Sequence, residues 1–373
     1  MLRSILAIAV LVILSTASRA EPPIRLSEGL FDQQQPQGLG LETIEGDHHL
    51  IYKATEKTHK FCHHANLVVF RQRLYLMWSN GLVDEDSKGQ RILMTWSADG
   101  QAWESPQWLT GEEHEICVAA GFHVHDQTLV AYFTVTGGTN FHPDTALYAI
   151  RSRDGVHWSM RQRIASGFYI EGPRPLSNGR LLLAGEYVDP SRAEKRMRVL
   201  VSDDPSGLGD WKDVLITPPE LSVFGYTEPA LFLAQGGEQA TLLFRNYSGT
   251  LYASRSTDNG ATWSIAEKTN YPDSTARIAG GNLPDGSAYI INNASLTQFD
   301  RSQLVLGLSR NGILFDRAFL VRSEPTQMRF KGEHKLDGWQ YPHAVSWKRS
   351  FYVAYTINKE DVGITRIPLR ELR

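Results

Sequence analysis

The chain has 373 residues, with 38 Lys and Arg against 41 Asp and Glu, a formal net charge of -3, and two cysteines. Nothing in this near-neutral, slightly acidic balance suggests nucleic-acid binding, and no nucleic-acid partner is expected. Two cysteines exclude a disulfide-dense scaffold, and the length fits one to three ordinary domains or one large repeated unit.

The N-terminal stretch "MLRSILAIAVLVILSTASRA" carries one early arginine, an apolar run from Ile5 to Leu14, and the small-x-small triplet Ser18-Arg19-Ala20. That pattern predicts a secretory signal peptide over 1–20, cleaved near Ala20, and a secreted or periplasmic mature chain of a single domain, 21–373. The apolar run is short for a membrane span, and no later stretch approaches about 18 uninterrupted apolar residues, so no membrane span is expected. Without Arg3 and Arg19, 36 basic residues face 41 acidic ones, a formal charge of -5. Cys62 and Cys117 in an exported chain form either one disulfide or two buried free thiols, and both readings stay open.

Further along, five segments share one ending: "SADGQAW" (97–103), "SRDGVHW" (152–158), "SDDPSGLGDW" (202–211), "STDNGATW" (256–263) and "SRNGILF" (309–315). Their opening serines lie 55, 50, 54 and 53 residues apart. A fixed period near 50 with a recurring turn and aromatic signals a propeller or a related β-array. Asp or Asn before Gly supplies the left-handed positions of a tight turn, and the Ser and Asp side chains can bond the turn's own amides.

Each period places three short strands before its turn. The first has "NLVVF", "LYLMWS" and "ILMTWS"; the fourth "PALFLA", "TLLFRN" and "LYASRS"; the fifth "RIAGGNL", "SAYIINN" and "LVLGLS". Their length and their Val, Leu, Ile and Tyr content mark them as strands. With one strand after the turn, each period becomes a four-stranded blade. A sixth unit, "YPHAVSW", "SFYVAYTI" and "VGITRIPL", ends the chain without its own turn. The N-terminal "HHLIYKA" (48–54) is the natural fourth strand, closing the ring and removing exposed edges. The expected fold is all-β, a six-bladed propeller, with seven blades as the alternative if residues 21–47 build another.

"STDNGATW" matches in full the Asp-box S-x-D-x-G-x-T-W, and with the six-unit layout the mature chain resembles the sialidase superfamily. The Asp-box is structural, so it argues for the fold alone. The resemblance implies three arginines clamping a carboxylate, a tyrosine nucleophile assisted by a glutamate, and an aspartate acid/base, all at one mouth of the central channel. In "YTEPALFLAQGGEQATLLFRN" it places the glutamate at Glu228 and an arginine at Arg245; in "YPDSTARIAGGNLPDG" it places another at Arg277. The tyrosine falls on Tyr341 in "QYPHAV". The aspartate falls on Asp86 or Asp84 in the loop "SNGLVDEDSKGQ".

The first arginine is missing. Where the family carries Arg-Ile-Pro or Arg-Leu-Pro, this chain has "CHHANL", so His63 and His64 stand in its place. Strand alternation would send one to the channel mouth and the other into the blade. Histidine clamps a carboxylate less well than arginine but exchanges a proton near neutral pH.

Three readings follow. The first is an exo-acting glycosidase on an anionic terminal sugar, with Tyr341 as nucleophile, Glu228 as its base and Asp86 as acid. The second is a polysaccharide lyase with His64 as base at C5 of a uronate, Arg245 and Arg277 neutralising the carboxylate, and Tyr341, His343 or His142 as acid. A looser resemblance to propellers acting on rhamnosyl-glucuronate linkages, carried by the histidine pair and "YTINKEDVGITRIPL", accompanies it. The third is a non-catalytic glycan-binding propeller. In all three the partner is a glycan or acidic polysaccharide.

Other residues are weighed one by one. Glu171 and Arg174 in "EGPRPL" either face the pocket or form a structural pair, with Glu171 leaning to the pocket. Asn140 and His142 in "GGTNFHPD" touch substrate or lie on an ordinary surface loop. His123 and His125 in "HVHD" are expected on the opposite face. No cofactor is expected and no cluster has zinc spacing, whereas a structural calcium would leave little trace in sequence. Asn246 and Asn293 begin N-x-Ser sequons, and a glycan on Asn246 would obstruct a site at Arg245.

Overall fold

The computed structural model describes residues 22–138, 142–189, 194–218, 220, 223 and 225–373. The leader 1–20 and Asn140 therefore lie outside the described residues. The rest is a ring of six antiparallel four-stranded sheets. Blade 1 runs from its inner strand outward as Phe61–Phe70, Arg73–Gly81, Arg91–Ser97 and Gln107–Thr110. The inner strands of blades 2 to 6 are Ile116–His125, Arg174–Pro175, Ala230–Ala234, Ala279–Asn282 and Trp339–Trp347.

Blade 6 borrows its outermost strand from the N-terminus. Asp47–Tyr52 pairs antiparallel with Asp361–Pro368, so the first and last parts of the chain share one sheet and close the ring. Among the described residues there is no seventh blade: Arg25–Leu26 pairs in parallel with Leu314–Phe315, and Thr43 bridges Leu320. Too short to form a sheet, this segment lies along blade 5, where Ile24, Phe31 and Leu39 join an apolar cluster with Phe232, Tyr271 and Phe315.

The recurring turns are built as their sequence predicts. Ser97 Oγ accepts the Gly100 N–H at 2.8 Å, and Asp99 Oδ1 accepts the N–H groups of Gln101 and Ala102 at 2.8 and 2.9 Å. Ser152, Asp154 and Gly155 repeat this arrangement. Gly100 and Gly155 have φ of 82° and 78°, which suits glycine. A Cβ there would strike the hydroxyl of Tyr352 or Tyr75, each the residue that the neighbouring blade's second strand sends over the turn. The motif thus links blades as well as ending strands.

Register breaks fall on outermost strands and on the inner strands of blades 1, 2 and 6. Pairing shifts between His63 and Asn66 in blade 1 and between Gln340 and His343 in blade 6. A bulge re-aims side chains at the rim of a sheet. Both cysteines are buried free thiols, which leaves no disulfide. Burial pushes the Cys117 thiol up to about 12 and the Cys62 thiol well up, so neither is reactive.

Candidate active site

A cleft of about 680 Å³ opens at one mouth of the channel. His63, His64, Asp86, Glu228, Arg245 and Tyr341 line it, joined by Glu85, Arg301 and Lys359. Tyr341, His64, Glu228, Asp86 and Lys359 all have left-handed backbones, with φ of 56°, 49°, 35°, 46° and 54°. Non-glycine residues adopt this region only under constraint, and such strain is concentrated at functional sites.

The constraint on Glu228 is visible. The Thr227 N–H and hydroxyl both donate to Glu186, a buried carboxylate from the second strand of blade 3. The Thr227 carbonyl accepts the Arg245 N–H at 3.0 Å, and the Tyr226 carbonyl accepts Arg245 Nε at 2.7 Å. Arg245 Nη1 then stands 2.8 Å from Glu228 Oε2 and 3.4 Å from the Tyr341 hydroxyl. One nitrogen therefore touches both the carboxylate and the phenol. Burial alone would lower the Arg245 guanidinium, but Glu228 and Tyr341 more than offset it and hold it firmly charged.

The left-handed turn at His64 breaks strand alternation, so both histidines face the cleft. Their rings are 3.7 Å apart, and those of His63 and Tyr341 are 3.8 Å apart. His64 Nε2 is 3.9 Å from Glu228, too far for a hydrogen bond. His63 Nδ1 lies 3.1 Å from Glu85 without hydrogen-bond alignment. Burial pushes His64 down to about 3, with Glu228 opposing, and pushes His63 well down, reinforced by His64 and Lys359. At neutral pH both imidazoles are uncharged.

Of the two loop aspartates, Asp86 lines the cleft and is held by Gln90, whose Oε1 accepts the Asp86 N–H at 3.1 Å and whose Nε2 donates to Oδ1 at 3.2 Å. Asp84 instead accepts the Glu333 N–H at 2.8 Å, outside the cleft lining.

Several expected residues lie elsewhere. Arg277 is fully buried below the cleft, donating to Asn66 Oδ1 at 3.2 Å, with its other terminal nitrogen unpartnered. It does not line the cleft because it sits one step along the channel, before the inner strand of blade 5. Glu171 and His343 belong to a separate cavity of about 470 Å³, shared with Arg174 and His123. The bulge at Tyr341 turns its hydroxyl to one mouth, while His343, in register again, points inward and accepts the Leu67 N–H at 3.1 Å. Glu171 is tied to Arg174. His142 is half-exposed beside Asp144, away from the cleft, and His125 pairs with Asp126. Among the described residues no group of three or more His, Cys, Asp or Glu is arranged to hold a metal.

Sequence reasoning missed Arg301 and Lys359. Arg301 stands just before the third strand of blade 5, in "FDRSQLVLGLS", a cation where the blade's upper loop turns down. Lys359 sits in the tight turn "NKED" between the last two strands, yet it is only 4% exposed. Its ammonium reaches Glu85 at 2.6 Å and packs 5.1 Å from the Tyr341 ring. Burial opposes that charge, Glu85 restores it, and the net effect raises Lys359.

Both sequons are internal. Asn246 Nδ2 donates to Thr250 O at 2.8 Å, and Asn293 Nδ2 donates to Gln303 O and Trp339 O at 2.7 and 2.8 Å. Their amides serve the fold rather than a glycan.

A six-bladed ring with Asp-box turns and a tyrosine–glutamate–arginine group at the channel mouth defines a sialidase-like propeller. The chain belongs to the BNR repeat-like domain family, whose pattern matches residues 71–353. Among solved structures it is similar to a sialidase, with 18% identity over 93% of this chain and 35% of that one, at a TM-score of 0.66. It is similar to a Trypanosoma rangeli sialidase mutant displaying trans-sialidase activity, with 13% identity over 89% of this chain and 60% of that one, at 0.69. A Dyadobacter fermentans protein of unknown function aligns with 15% identity over 88% of this chain and 98% of that one, at 0.66. Identities this low carry the fold alone, and the chain spans only 35% of the first sialidase. No curated protein matches it.

Proposed function

We propose that the protein is an exo-acting, retaining glycoside hydrolase that removes an anionic terminal sugar from a glycan or polysaccharide. One observation carries the reading: the Tyr341 hydroxyl and the Glu228 carboxylate meet on the same Arg245 nitrogen inside the cleft. Tyr341 Oη attacks the anomeric carbon while Glu228 takes its proton, and Asp86 protonates the departing oxygen. The glycosidic bond breaks and an aryl glycoside forms. Asp86 then deprotonates a water that attacks the same carbon, and Tyr341 leaves with the proton held by Glu228. Two inversions give net retention. A phenol is neutral until it reacts, so it approaches an anionic sugar without the repulsion a carboxylate would meet. Arg245, Arg301 and Lys359 supply the cations for the sugar's charge.

Elimination is less well supported. A base whose conjugate acid lies at about 3, as in His64, is weak for removing a carbon-bound proton. We also read residues 1–20 as an export leader; N-terminal sequencing of the protein from culture medium or periplasm should begin near Glu21, and an intact Met1 there would refute it.

The test is incubation with aryl glycosides of sialic and uronic acids, following released phenol, the ultraviolet absorbance of an unsaturated uronate, and protein mass. Phenol release with a trapped sugar adduct on Tyr341, absent in Tyr341→Phe, supports the reading. Unsaturated product that persists in Tyr341→Phe and vanishes in His64→Ala would replace it with a lyase.

A further inference from the structure

Beneath the cleft, Asp273, Ser274 and Thr275 lead from the outermost strand of blade 4 toward the inner strand of blade 5. Asp273 is 1% exposed. Its Oδ1 accepts Asn292 Nδ2 at 3.0 Å, and its Oδ2 accepts the Thr275 N–H at 3.1 Å. That second bond curls the chain so that Thr275, a β-branched residue, adopts φ of 61°, a conformation it strongly disfavours. The curl aims Thr275 at both cleft arginines. Its carbonyl accepts Arg301 Nη2 at 2.7 Å and Arg245 Nη1 at 3.5 Å, and its hydroxyl donates to Asn246 O at 2.8 Å. Ser274 adds its hydroxyl oxygen to Arg301 Nη1 at 2.9 Å.

Charge points to the same residue. Arg245 has Glu228 at 2.8 Å and Lys359 has Glu85 at 2.6 Å. Arg301 has no carboxylate in ion-pair range among the described residues, and its Nε is buried without a partner. Asp273, with Tyr341 and Glu228, favours its charge, and Asp273 is linked to Arg301 by two hydrogen bonds through Thr275, whose N–H it accepts and whose carbonyl accepts Arg301.

We infer that Asp273 is a positioning residue for the Arg245–Arg301 pair, and that its charge sets how much of the pair's positive potential reaches an anionic ligand. The charged and titratable groups around it are Arg301, Arg245 and Tyr271; Glu228 and Tyr341 face the same arginines. Burial pushes Asp273 up to about 6, opposed by the Asn292 amide and the two arginines. As pH falls through that value the carboxylate is neutralised, the cleft becomes more positive, and an anion binds more tightly; as pH rises the effect reverses.

The inference rests on the cleft being a ligand site, but its test needs no substrate. Protein labelled with ¹³C at aspartate carboxyls and ¹⁵N at arginine is titrated by NMR, following the Asp273 carboxyl and the Nε–Hε signals of Arg245 and Arg301. The expected result is one shared midpoint of about 6 for all three. Asp273→Asn keeps an acceptor for the Thr275 N–H while removing the charge, so its arginine signals should stay resolved and lose the curve. Arginine signals that stay flat through the Asp273 titration, or a curve that persists in Asp273→Asn, would overturn the inference. Should the variant fail to fold, the coincidence of midpoints in the unaltered protein decides. Either result leaves the hydrolase reading to its own assay.

Discussion

Tyr341, His64 and Glu228 each hold a backbone conformation that costs on the order of 1–3 kcal/mol for a non-glycine residue. The rest of the fold has to impose it, and for Glu228 the agent is Glu186 acting through Thr227. Tyr341→Phe should leave the melting temperature nearly unchanged and abolish turnover, whereas Glu228→Gln should slow it by roughly 10²–10⁴-fold as a lost general base. Steady-state kinetics on the responsive glycoside separates the two. The histidines predict a pH effect on stability. The His64 imidazole lies at about 3 in the folded chain against roughly 6.5 unfolded, so its contribution is fully present above about 6.5 and is lost as pH falls toward 3. Denaturant unfolding at pH 7.5 and pH 4.5 should show a smaller loss in His64→Gln than in the parent; equal losses would mean the imidazole is not buried neutral. Asn246 and Asn293 offer a simple check: expressed in a glycosylating host, neither should carry a glycan, and a peptide-mapped sugar on either would contradict their buried hydrogen bonds.

At the scale of elements, the turns and one long loop do the positioning. The Gly100 and Gly155 turns each sit under a tyrosine hydroxyl from the next blade, so Gly155→Ala adds both a left-handed alanine and a clash with Tyr75. A loss of about 2 kcal/mol or more in denaturant unfolding is expected, without change in the cleft. The loop 323–338, between blades 5 and 6, brings Glu333, His334 and Leu336 to the cleft wall. It is anchored on Glu360, which is fully buried and accepts the N–H groups of Arg329 and Phe330 at 3.0 and 2.6 Å and faces Lys335 at 3.2 Å. Glu360→Ala leaves Lys335 as an unpaired buried charge, a loss of about 3–5 kcal/mol. Proteolysis should then cut first within 323–338. Cleavage elsewhere would show that the loop holds without its anchor.

For the whole molecule, closure depends on the N-terminal strand covering the edge of Asp361–Pro368. A chain starting after residue 52 leaves that edge bare, and aggregation or loss of a single cooperative unfolding transition is expected by size-exclusion chromatography and calorimetry. The fold was legible because its signals are local and repeated. A Ser-Asp-Gly turn specifies its own hydrogen bonds within a few residues, and five of them at one period mark the repeat, leaving open only whether residues 21–47 add a seventh blade to the six. Tyr341, Glu228 and Arg245 were named by the resemblance to the sialidase superfamily rather than by the turn pattern, and the fold brings the three together at one mouth. What the sequence left open required distances between blades. That Arg301 lines the cleft while the expected Arg277 lies below it, whether Asp84 or Asp86 faces the cleft, and whether His343 shares the mouth with Tyr341 two residues away all depend on the tertiary path of the chain, including bulges and left-handed turns that shift a side chain from one face to the other. Such a shift reverses the direction of a side chain without changing the period of the pattern. Local chemistry in the sequence determined the blades and their order; only the closed ring decided which charges meet at the channel mouth, because residues far apart in the chain become neighbours only when the sixth blade returns to the first.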